Sequence, residues 1–360
     1  MSIYVDIEKR LGGFFLKAEF EAGDEVVSLL GASGCGKSMT LKCIAGIERP
    51  DRGRIVADGV TLFDSEKGIS LPPQKRHTGL LFQNYALFPN MTVRQNLAAG
   101  ARRERDRSSR EARIGQILER FGLTELEGHY PAQLSGGQQQ RTALARILLS
   151  SPRVLLLDEP FSALDSHLRF QMEREVREMI RQFGKTVILV SHDRDEVYRM
   201  SDKIAVMDGG RIEAFGSRDA VFENPQTRSG AALTGCKNLS PIRALGGNRI
   251  YALDWKVELT AAGPADDCTY AGIRMHDVAY GPGENEIWCQ VAEVVENPFS
   301  YTVMLCPADA PDAACLGWEL EKAEWERVRA QTLLVHLPAK AVMPLRDGAE
   351  SGGRRRLRPV

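Results

Sequence analysis

One short glycine-rich string carries the clearest chemical signal in the sequence. It contains, in order, Gly31, Ala32, Ser33, Gly34, Cys35, Gly36, Lys37 and Ser38. Glycines let the backbone curl so that its N–H groups point at phosphate oxygens, and the start of a following helix favours negative charge. The spacing matches a phosphate-binding loop. Lys37 is therefore expected to reach the β- and γ-phosphates of a nucleotide, and Ser38 to ligate Mg²⁺.

Polar side chains also follow three apolar segments that are typical of buried strands. Asp158 and Glu159 end the segment 154–157, His192 follows 186–190, and Gln83 follows 79–82. Asp158 is expected to hold Mg²⁺ and Glu159 to accept a proton from an attacking water, work that is typically worth about 10²–10⁴-fold in rate. His192 could bond the γ-phosphate or that water, and Gln83 could contact Mg²⁺ or water.

A second candidate anion site is a string of five residues in the middle of the chain: Leu134, Ser135, Gly136, Gly137 and Gln138. The serine and glycines are expected to form a nest of backbone N–H groups ahead of a helix over 139–149. One chain then has two phosphate-binding helix starts, far apart in sequence. The economical explanation is a head-to-tail homodimer in which each nucleotide lies between the loop of one copy and the nest of the other.

The elements that must position these residues follow from hydrophobic patterning. Strands are predicted near residues 14–20, 25–30, 153–158, 185–191 and 203–207, and a helix is predicted from Lys37 to Ala45, ending at Gly46. Buried strands that alternate with helices predict an α/β domain with a mainly parallel sheet. After about residue 235, short alternating segments between Gly, Pro and Asp turns predict a small β-barrel domain.

Composition excludes several classes of protein. The 360 residues predict two domains, and a net charge of −1 gives no reason to expect nucleic-acid binding. We find neither a signal-peptide core nor a run of about 18 apolar residues. Seven cysteines without CxxC spacing indicate reduced, mostly buried thiols.

At this point the sequence resembles the ATP-binding subunits of ABC transporters. In the family's order, it has the Walker A loop (31–38), the Q-loop Gln83, the signature (134–138), Walker B ending in Asp158 and Glu159, the D-loop (162–165) with Asp165, and the switch His192. The resemblance implies that these residues bind and hydrolyse ATP with Mg²⁺. Met39 stands where the family commonly has Thr or Ser, which leaves Ser38 as the local Mg²⁺ hydroxyl.

The family usually has an aromatic residue near its N-terminus that stacks on adenine. The corresponding position here is Leu11, and Phe14 or Phe15 are the alternatives. The implied architecture is a P-loop cassette over 1–235 with a helical subdomain at about 85–155. A regulatory all-β domain of the OB-like TOBE type follows over 236–345, and a disordered basic tail over 346–360.

The resemblance extends to importers. The segment 84–93 is similar to the part of importer subunits that lines a groove for a helix of the permease, and 270–274 resembles a strand of their β-domain. It implies three partners, namely a second copy of the chain, membrane permease subunits and, indirectly, an extracytoplasmic binding protein. It places the chain at the cytoplasmic face of the membrane.

Residues 233–239 resemble the molybdate/sulfate branch, so import of molybdate is the first interpretation. Sulfate or thiosulfate comes next, and sugar, polyamine or iron import remain alternatives. A soluble ABC ATPase of translation or repair is disfavoured, because the chain has one cassette and no sustained heptads. A further hypothesis makes the β-domain an oxyanion sensor, with Lys237, Arg274 and His276 as candidates.

Overall fold

The computed structural model describes residues 2–162 and 166–348, so Asp165 and the tail from 349 onward lie outside it. The chain divides into two compact units between Arg218 and Asp219. This division lies before the sequence-based boundary at 235/236, because the short helices after Arg218 belong to the second unit.

The first unit is built on one mixed sheet. Its order is β6-β5-β4-β1-β2-β11-β10-β3-β9-β8-β7. The strands are β1 Ile3–Leu11, β2 Phe14–Ala22, β3 Val26–Leu30, β4 Arg52–Ala57, β5 Val60–Asp64, β6 Ile69–Ser70, β7 Thr78–Leu81, β8 Val154–Asp158, β9 Val187–Ser191, β10 Lys203–Asp208 and β11 Arg211–Ser217.

The prediction of a mainly parallel sheet is correct for only part of this sheet. Strands β10, β3, β9, β8 and β7 pair with one another in parallel. Strand β11 pairs antiparallel with β10 and parallel with β2. Strands β1, β2, β4, β5 and β6 pair in antiparallel fashion. Short turns such as the one at Gly12 join neighbouring strands directly, and a short turn can connect only antiparallel strands.

Helices cover both faces of the parallel part. They are α1 Lys37–Ala45, α2 Pro73–Arg76, α3 Val93–Gly100, α4 Arg107–Arg120, α5 Gly136–Leu149, α6 Ser166–Phe183 and α7 Arg194–Met200, with 3₁₀ turns at Thr124–Leu126 and Pro131–Gln133. Strand β8 shows the two layers: Leu155 and Leu157 pack with α3 to α6, whereas Val154 and Leu156 pack on the opposite face with α1. Because β3, β9, β8 and β7 run in the same direction, their carboxyl ends meet at the sheet edge that carries the polar residues.

Local sequence signals mark the ends of three of these helices, and the end of α1 at Gly46 is as predicted. Gly46 closes α1 in the left-handed conformation with φ +80°, which favours glycine. Thr92 and Gln95 form a reciprocal capping box at α3, and the Asp106 carboxylate accepts the N–H of Ser109 at α4. These three ends could be placed from sequence because each depends on residues within one turn.

The second unit confirms the predicted all-β domain. It has two five-stranded sheets, β14-β13-β12-β15-β21 and β16-β20-β17-β18-β19. Side chains from both sheets, including Leu259 and Leu305, share one core. The strands are β12 Asn238–Gly246, β13 Arg249–Ala252, β14 Val257–Thr260, β15 Tyr270–Ile273, β16 Ala279–Tyr280, β17 Glu286–Glu296, β18 Ser300–Pro307, β19 Leu316–Glu321, β20 Thr332–His336 and β21 Met343–Leu345. The remaining elements are α8 Arg218–Glu223, α9 Arg228–Leu233, α10 Lys322–Val328 and 3₁₀ turns at Met275–Asp277 and Ala339–Ala341.

The prediction of seven reduced thiols is wrong for two cysteines. Cys306 and Cys315 form a disulfide with their Cα atoms 4.2 Å apart. The end of β18 and the start of β19 lie side by side, so the fold joins two residues whose spacing resembles no common cysteine motif. Cys35, Cys43, Cys236 and Cys289 are buried free thiols, as predicted, and Cys268 is half-buried. Across the described residues, none of the helices has the length and apolarity needed to cross a bilayer.

Candidate functional site

The phosphate-binding loop connects β3 to α1 as predicted. Gly34 and Gly36 have φ of +82° and +106°, a region that favours glycine. A Cβ on Gly31 would lie 2.4 Å from the carbonyl oxygen of Met207, so β10 leaves no room for a side chain there. Lys37 Nζ donates to the carbonyl oxygens of Gly31 at 2.7 Å and Ala32 at 2.9 Å. The ammonium group therefore lies inside the loop that is to hold phosphates.

The structure brings Ser38 and Asp158 together across two elements. The Ser38 hydroxyl donates to Asp158 Oδ1 at 2.7 Å. Burial raises the pKa of Asp158 above its ordinary value, the bond from Ser38 opposes this shift, and the charge of Glu159 adds to it. A hydroxyl and a carboxylate are hard oxygen donors of the kind that Mg²⁺ prefers, so the two residues fit that ion.

Glu159 and His192 form the second contact of the site. His192 Nδ1 lies 3.2 Å from Glu159 Oε1. Glu159 has φ +45°, a left-handed conformation that is rare for a non-glycine residue and costs of order 1–3 kcal/mol. The Glu159 N–H donates to the Val190 carbonyl at 3.0 Å, which holds the strained turn against β9. The sheet edge thus places a carboxylate and an imidazole where they can act on one water molecule.

Gln83 follows β7 at the same sheet edge, and its amide is directed to a different partner from those considered in the sequence. Gln83 Nε2 donates to Ser162 Oγ at 3.1 Å, and that hydroxyl donates to the Glu159 carbonyl at 3.0 Å. Gln83 is thereby connected to the turn that carries Glu159. Ser162 begins the D-loop, whose Asp165 lies outside the described residues.

The signature string forms an ordinary helix start and not a nest. Helix α5 begins at Gly136, so both glycines belong to its first turn, and neither has positive φ. Ser135 Oγ accepts the Gln138 N–H and Gln138 Oε1 accepts the Ser135 N–H, which completes a capping box. Leu134 anchors the string in the core. Serine followed three residues later by glutamine is the sequence signal for this box.

The adenine-stacking candidates differ in their surroundings. The ring of Phe14 packs on the core beside the phosphate loop. It lies so close to the loop that a Cβ built on Gly36 would be 3.3 Å from the ring. The guanidinium group of Arg10 covers the ring of Phe15, 5.5 Å from its centroid. Leu11 is exposed at the end of β1. Met39 is half-buried and packs against the same core as Phe14.

Sequence reasoning missed the residues that shape the segment after Gln83. Asn96 is fully buried and accepts the Phe88 N–H at 2.9 Å, and its amide donates to the carbonyls of Phe88, Met91 and Thr92. Arg146 lies over the Phe88 ring at 5.1 Å. A polar residue inside an amphipathic helix is the available signal, and it does not identify its partners. Phe88 stays 45% exposed.

In the second unit, the Arg274 side chain bonds backbone carbonyl groups of the same unit. Its guanidinium donates to the Thr234 carbonyl at 2.7 Å and also to the Phe222 carbonyl. These bonds occupy its guanidinium group, which makes it a poor candidate for an oxyanion ligand. His276 and Asp277 form a surface pair at 3.8 Å.

The strand–loop–helix start and the carboxylates at the sheet edge define a P-loop nucleotide-binding domain. The sequence profile of the ABC transporter family matches residues 17–162. A sulfate/thiosulfate import ATP-binding protein of Chromobacterium violaceum is 39% identical over 274 residues, which are 75% of this chain and 73% of that protein. A molybdenum import ATP-binding protein of Paramagnetospirillum magneticum is 40% identical over 224 residues, 62% of this chain and 61% of that protein.

Other import subunits are similar to a comparable degree, including ones described for spermidine/putrescine, of which the match covers 55%, and for trehalose/maltose. Among solved structures, a dimeric ATP-binding cassette in a post-hydrolysis state with ADP and Pi is 28% identical with a TM-score of 0.50, and the match covers 61% of this chain and 99% of that one. This chain belongs to the ABC transporter family, among the ATP-binding subunits of the importer type.

Proposed function

We propose that this chain hydrolyses ATP to drive a membrane importer, with Glu159 as the general base and His192 as its partner. The contact of 3.2 Å between these side chains, beside the loop that holds Lys37, is the observation that carries the proposal. Domain boundaries near 235 and 345, and the roles of individual site residues, are part of the proposal.

The proposed reaction is attack of water on the γ-phosphorus, which breaks its bond to the β–γ bridging oxygen and releases ADP and phosphate. Glu159 takes a proton from the water, and His192 holds the Glu159 carboxylate and the water in line. Lys37 leaves the carbonyls of Gly31 and Ala32 and bonds the β- and γ-phosphates, where its charge offsets the charge of the transition state. Gly34, Cys35 and Gly36, with Ser33, supply backbone N–H groups to the phosphates.

Ser38 and Asp158 would hold Mg²⁺, with Gln83 as an additional ligand once its amide leaves Ser162. Bound Mg²⁺ would act as a Lewis acid on the phosphate oxygens. The hydroxyl and the carboxylate are already within hydrogen-bond distance, so a modest separation of the two oxygens is the rearrangement needed.

The functional unit we propose is a homodimer. The signature residues Ser135, Gly136 and Gly137 would contact a nucleotide held on the second copy, as a dimeric cassette among the solved structures supports. Asp165 of the D-loop is proposed to lie at the same interface. Because α5 starts with its own capping box, its first turn is formed before a second copy arrives.

We infer that permease subunits dock on the segment 84–93 from the cytoplasmic side of the membrane. Phe88 is exposed there, while Asn96 and Arg146 hold the backbone around it in one conformation. An aromatic side chain on a rigid loop suits a helix-in-groove contact. An extracytoplasmic binding protein would act through that permease.

The substrate we propose is molybdate or a related oxyanion such as sulfate. Similarity to sulfate/thiosulfate and molybdenum import subunits supports the proposal, and the first of these matches extends into the C-terminal unit. Polyamine and sugar subunits match to a comparable degree, so the substrate test uses the assembled transporter. ATP turnover should rise with a binding protein loaded with molybdate or sulfate and stay basal with spermidine or maltose.

The central test is the variant Glu159→Gln. We expect ATP turnover to fall about 10²–10⁴-fold, because the general base is lost, while ATP binding and an ATP-dependent dimer persist. Glu178→Gln on the exposed face of α6 is the matched control and should behave like the wild type. Normal turnover in Glu159→Gln, or a chain that stays monomeric with ATP in this variant, contradicts the proposal.

A further inference from the structure

A buried carboxyl group lies directly behind the switch histidine. Glu196 is in the first turn of α7 and only 4% exposed. Among the described residues, its Oε1 has no hydrogen-bond partner, and the Ser191 hydroxyl lies close enough to the carboxyl group to lower its pKa. A buried oxygen without a partner is costly, so the fold retains this group at some expense in stability.

The Ser191 hydroxyl connects the Glu196 carboxyl group to the backbone around His192. The Ser191 hydroxyl accepts the Asp193 N–H at 3.0 Å, so it spans the histidine from the residue before to the residue after. The Asp193 carboxylate then caps α7 by accepting the N–H groups of Asp195 at 2.9 Å and Glu196 at 3.1 Å. Glu196 thereby closes a ring of contacts around the turn that carries the imidazole.

The turn is also connected to the helix that follows the D-loop. Arg169 on α6 lies 3.4 Å from Asp193 Oδ2. Glu173, one turn further along α6, is buried and forms a two-point ion pair with Arg199 of α7 at 2.7 and 2.9 Å. Among the residues that the structure describes, the charged groups acting on Glu196 are Asp193, Glu173 and Arg169. Strands β3 and β9, which also pack on α7, have no titratable side chain.

We propose that Glu196 is a positioning residue for His192 in ATP hydrolysis, acting through the Ser191 hydroxyl and the turn that it closes. This inference rests on the proposed function of His192 and Glu159. The side chain does not touch the reacting atoms; it fixes the direction in which the imidazole meets Glu159 at 3.2 Å.

The turn that carries His192 accommodates the Glu196 carboxyl group in its neutral, protonated form. Burial raises the pKa of Glu196 to about 8, Asp193 and Glu173 raise it further, and Ser191 and Arg169 oppose the shift. Above that pH, a carboxylate with one unpartnered oxygen faces two like charges, and the repulsion falls on Asp193, the residue next to His192. Loss of this proton therefore releases the turn and lowers turnover.

The test is the pH profile of ATP turnover by the full chain. For the wild type, we expect kcat to fall as the pH rises through about 8 and to level off about tenfold lower, the same loss that we expect when the side chain is removed. Glu196→Gln is neutral at every pH and has the same shape, so it should match wild-type kcat within about twofold at pH 7 and lack this fall. Asp195→Asn, an exposed neighbour on the same turn, is the matched control and should keep the wild-type profile.

A second pair of variants covers the case in which Glu196→Gln does not fold. Ser191→Ala and Glu196→Ala should each lower kcat about tenfold with little change in KM, and the double variant should be no worse than either, because both remove one relay. A wild-type profile without the fall above pH 8, a fall that survives in Glu196→Gln, or additive losses in the double variant each overturns the inference. A wild type without ATP turnover instead overturns the proposed function.

Discussion

The two helix starts expected to bind phosphate, at α1 and α5, satisfy their first N–H groups in different ways. At α1 the cap residue is Gly36, which offers no side-chain acceptor, and Lys37 bonds carbonyls of its own loop. At α5 the Ser135 and Gln138 side chains cap each other's backbone. At α1 no side chain caps the first N–H groups, whereas at α5 the Ser135 side chain already accepts the Gln138 N–H.

This difference indicates an order of events. A triphosphate gains most at α1, where it accepts from N–H groups that no side chain caps and gives Lys37 an anionic partner in place of two loop carbonyls. At α5 it can only add to a start that is already capped. We therefore expect nucleotide to bind first to the α1 loop of one copy, and the α5 start of the second copy to join an already loaded site.

The largest effect should come from Lys37→Ala. Removing the ammonium group leaves the phosphates without their main cationic partner, so we expect turnover to fall about 10²-fold or more and ATP affinity to fall with it. Steady-state ATP hydrolysis and titration with a fluorescent ATP analogue measure both. Lys42→Ala, on the last turn of the same helix, is the control and should retain both values. If Lys37→Ala binds ATP as tightly as the wild type, α1 is not the preferred first site for ATP, and the expected order of binding is wrong.

The next effect separates the two duties of Ser135. Ser135→Ala removes a helix cap, which should cost about 0.5–2 kcal/mol of unfolding free energy, and it also removes a hydroxyl of the proposed second-copy site. Thr92→Ala removes the cap of the equivalent box at α3 and is the matched control. Both should lower Tm by a similar amount, but only Ser135→Ala should lower turnover, by about tenfold. Equal turnover in the two variants would show that the α5 start is merely structural.

How far sequence predicts the site depends on how local each interaction is. The Gly31–Ser38 string and Gly46 act within one turn, so their residue types reveal them. The string 134–138 is equally local, but the nest predicted for it is wrong, because Ser135 and Gln138 cap the helix instead. The meeting of Ser38 with Asp158 was also predictable, because parallel strands end at one sheet edge. The roles of Asn96 and Arg274, and the disulfide, depend on backbone groups brought in by distant segments. Identical residues in another fold would have other partners.

The start of α7 differs from those of α1 and α5 because it contains a carboxyl group, Glu196, that titrates within the pH range of the assay. The pKa of Glu196 is about 8 in the folded chain, above the ordinary value of 4.5. The stability that comes from its bound proton is full below pH 4.5 and is lost as the pH rises through about 8. Between pH 6 and 9, wild-type Tm should therefore fall relative to that of Glu196→Gln, with Asp195→Asn following the wild type. Calorimetry showing parallel curves for wild type and Glu196→Gln would contradict this.

The smallest effect concerns the base, the end of the nucleotide that neither helix start contacts. The ring of Phe14 packs beside Gly36 and Arg10 covers that of Phe15, which leaves the exposed Leu11 as the residue free to meet a base. An aromatic ring adds about 0.5–1.5 kcal/mol over an aliphatic contact, so Leu11→Tyr should tighten ATP binding about two- to tenfold. GTP should gain similarly, because stacking tolerates any base. Leu245→Tyr, which changes an equally exposed leucine, should leave both affinities unchanged. If Leu11→Tyr does not alter nucleotide affinity, the base lies elsewhere, and only the phosphate end of the site remains assigned to the α1 loop.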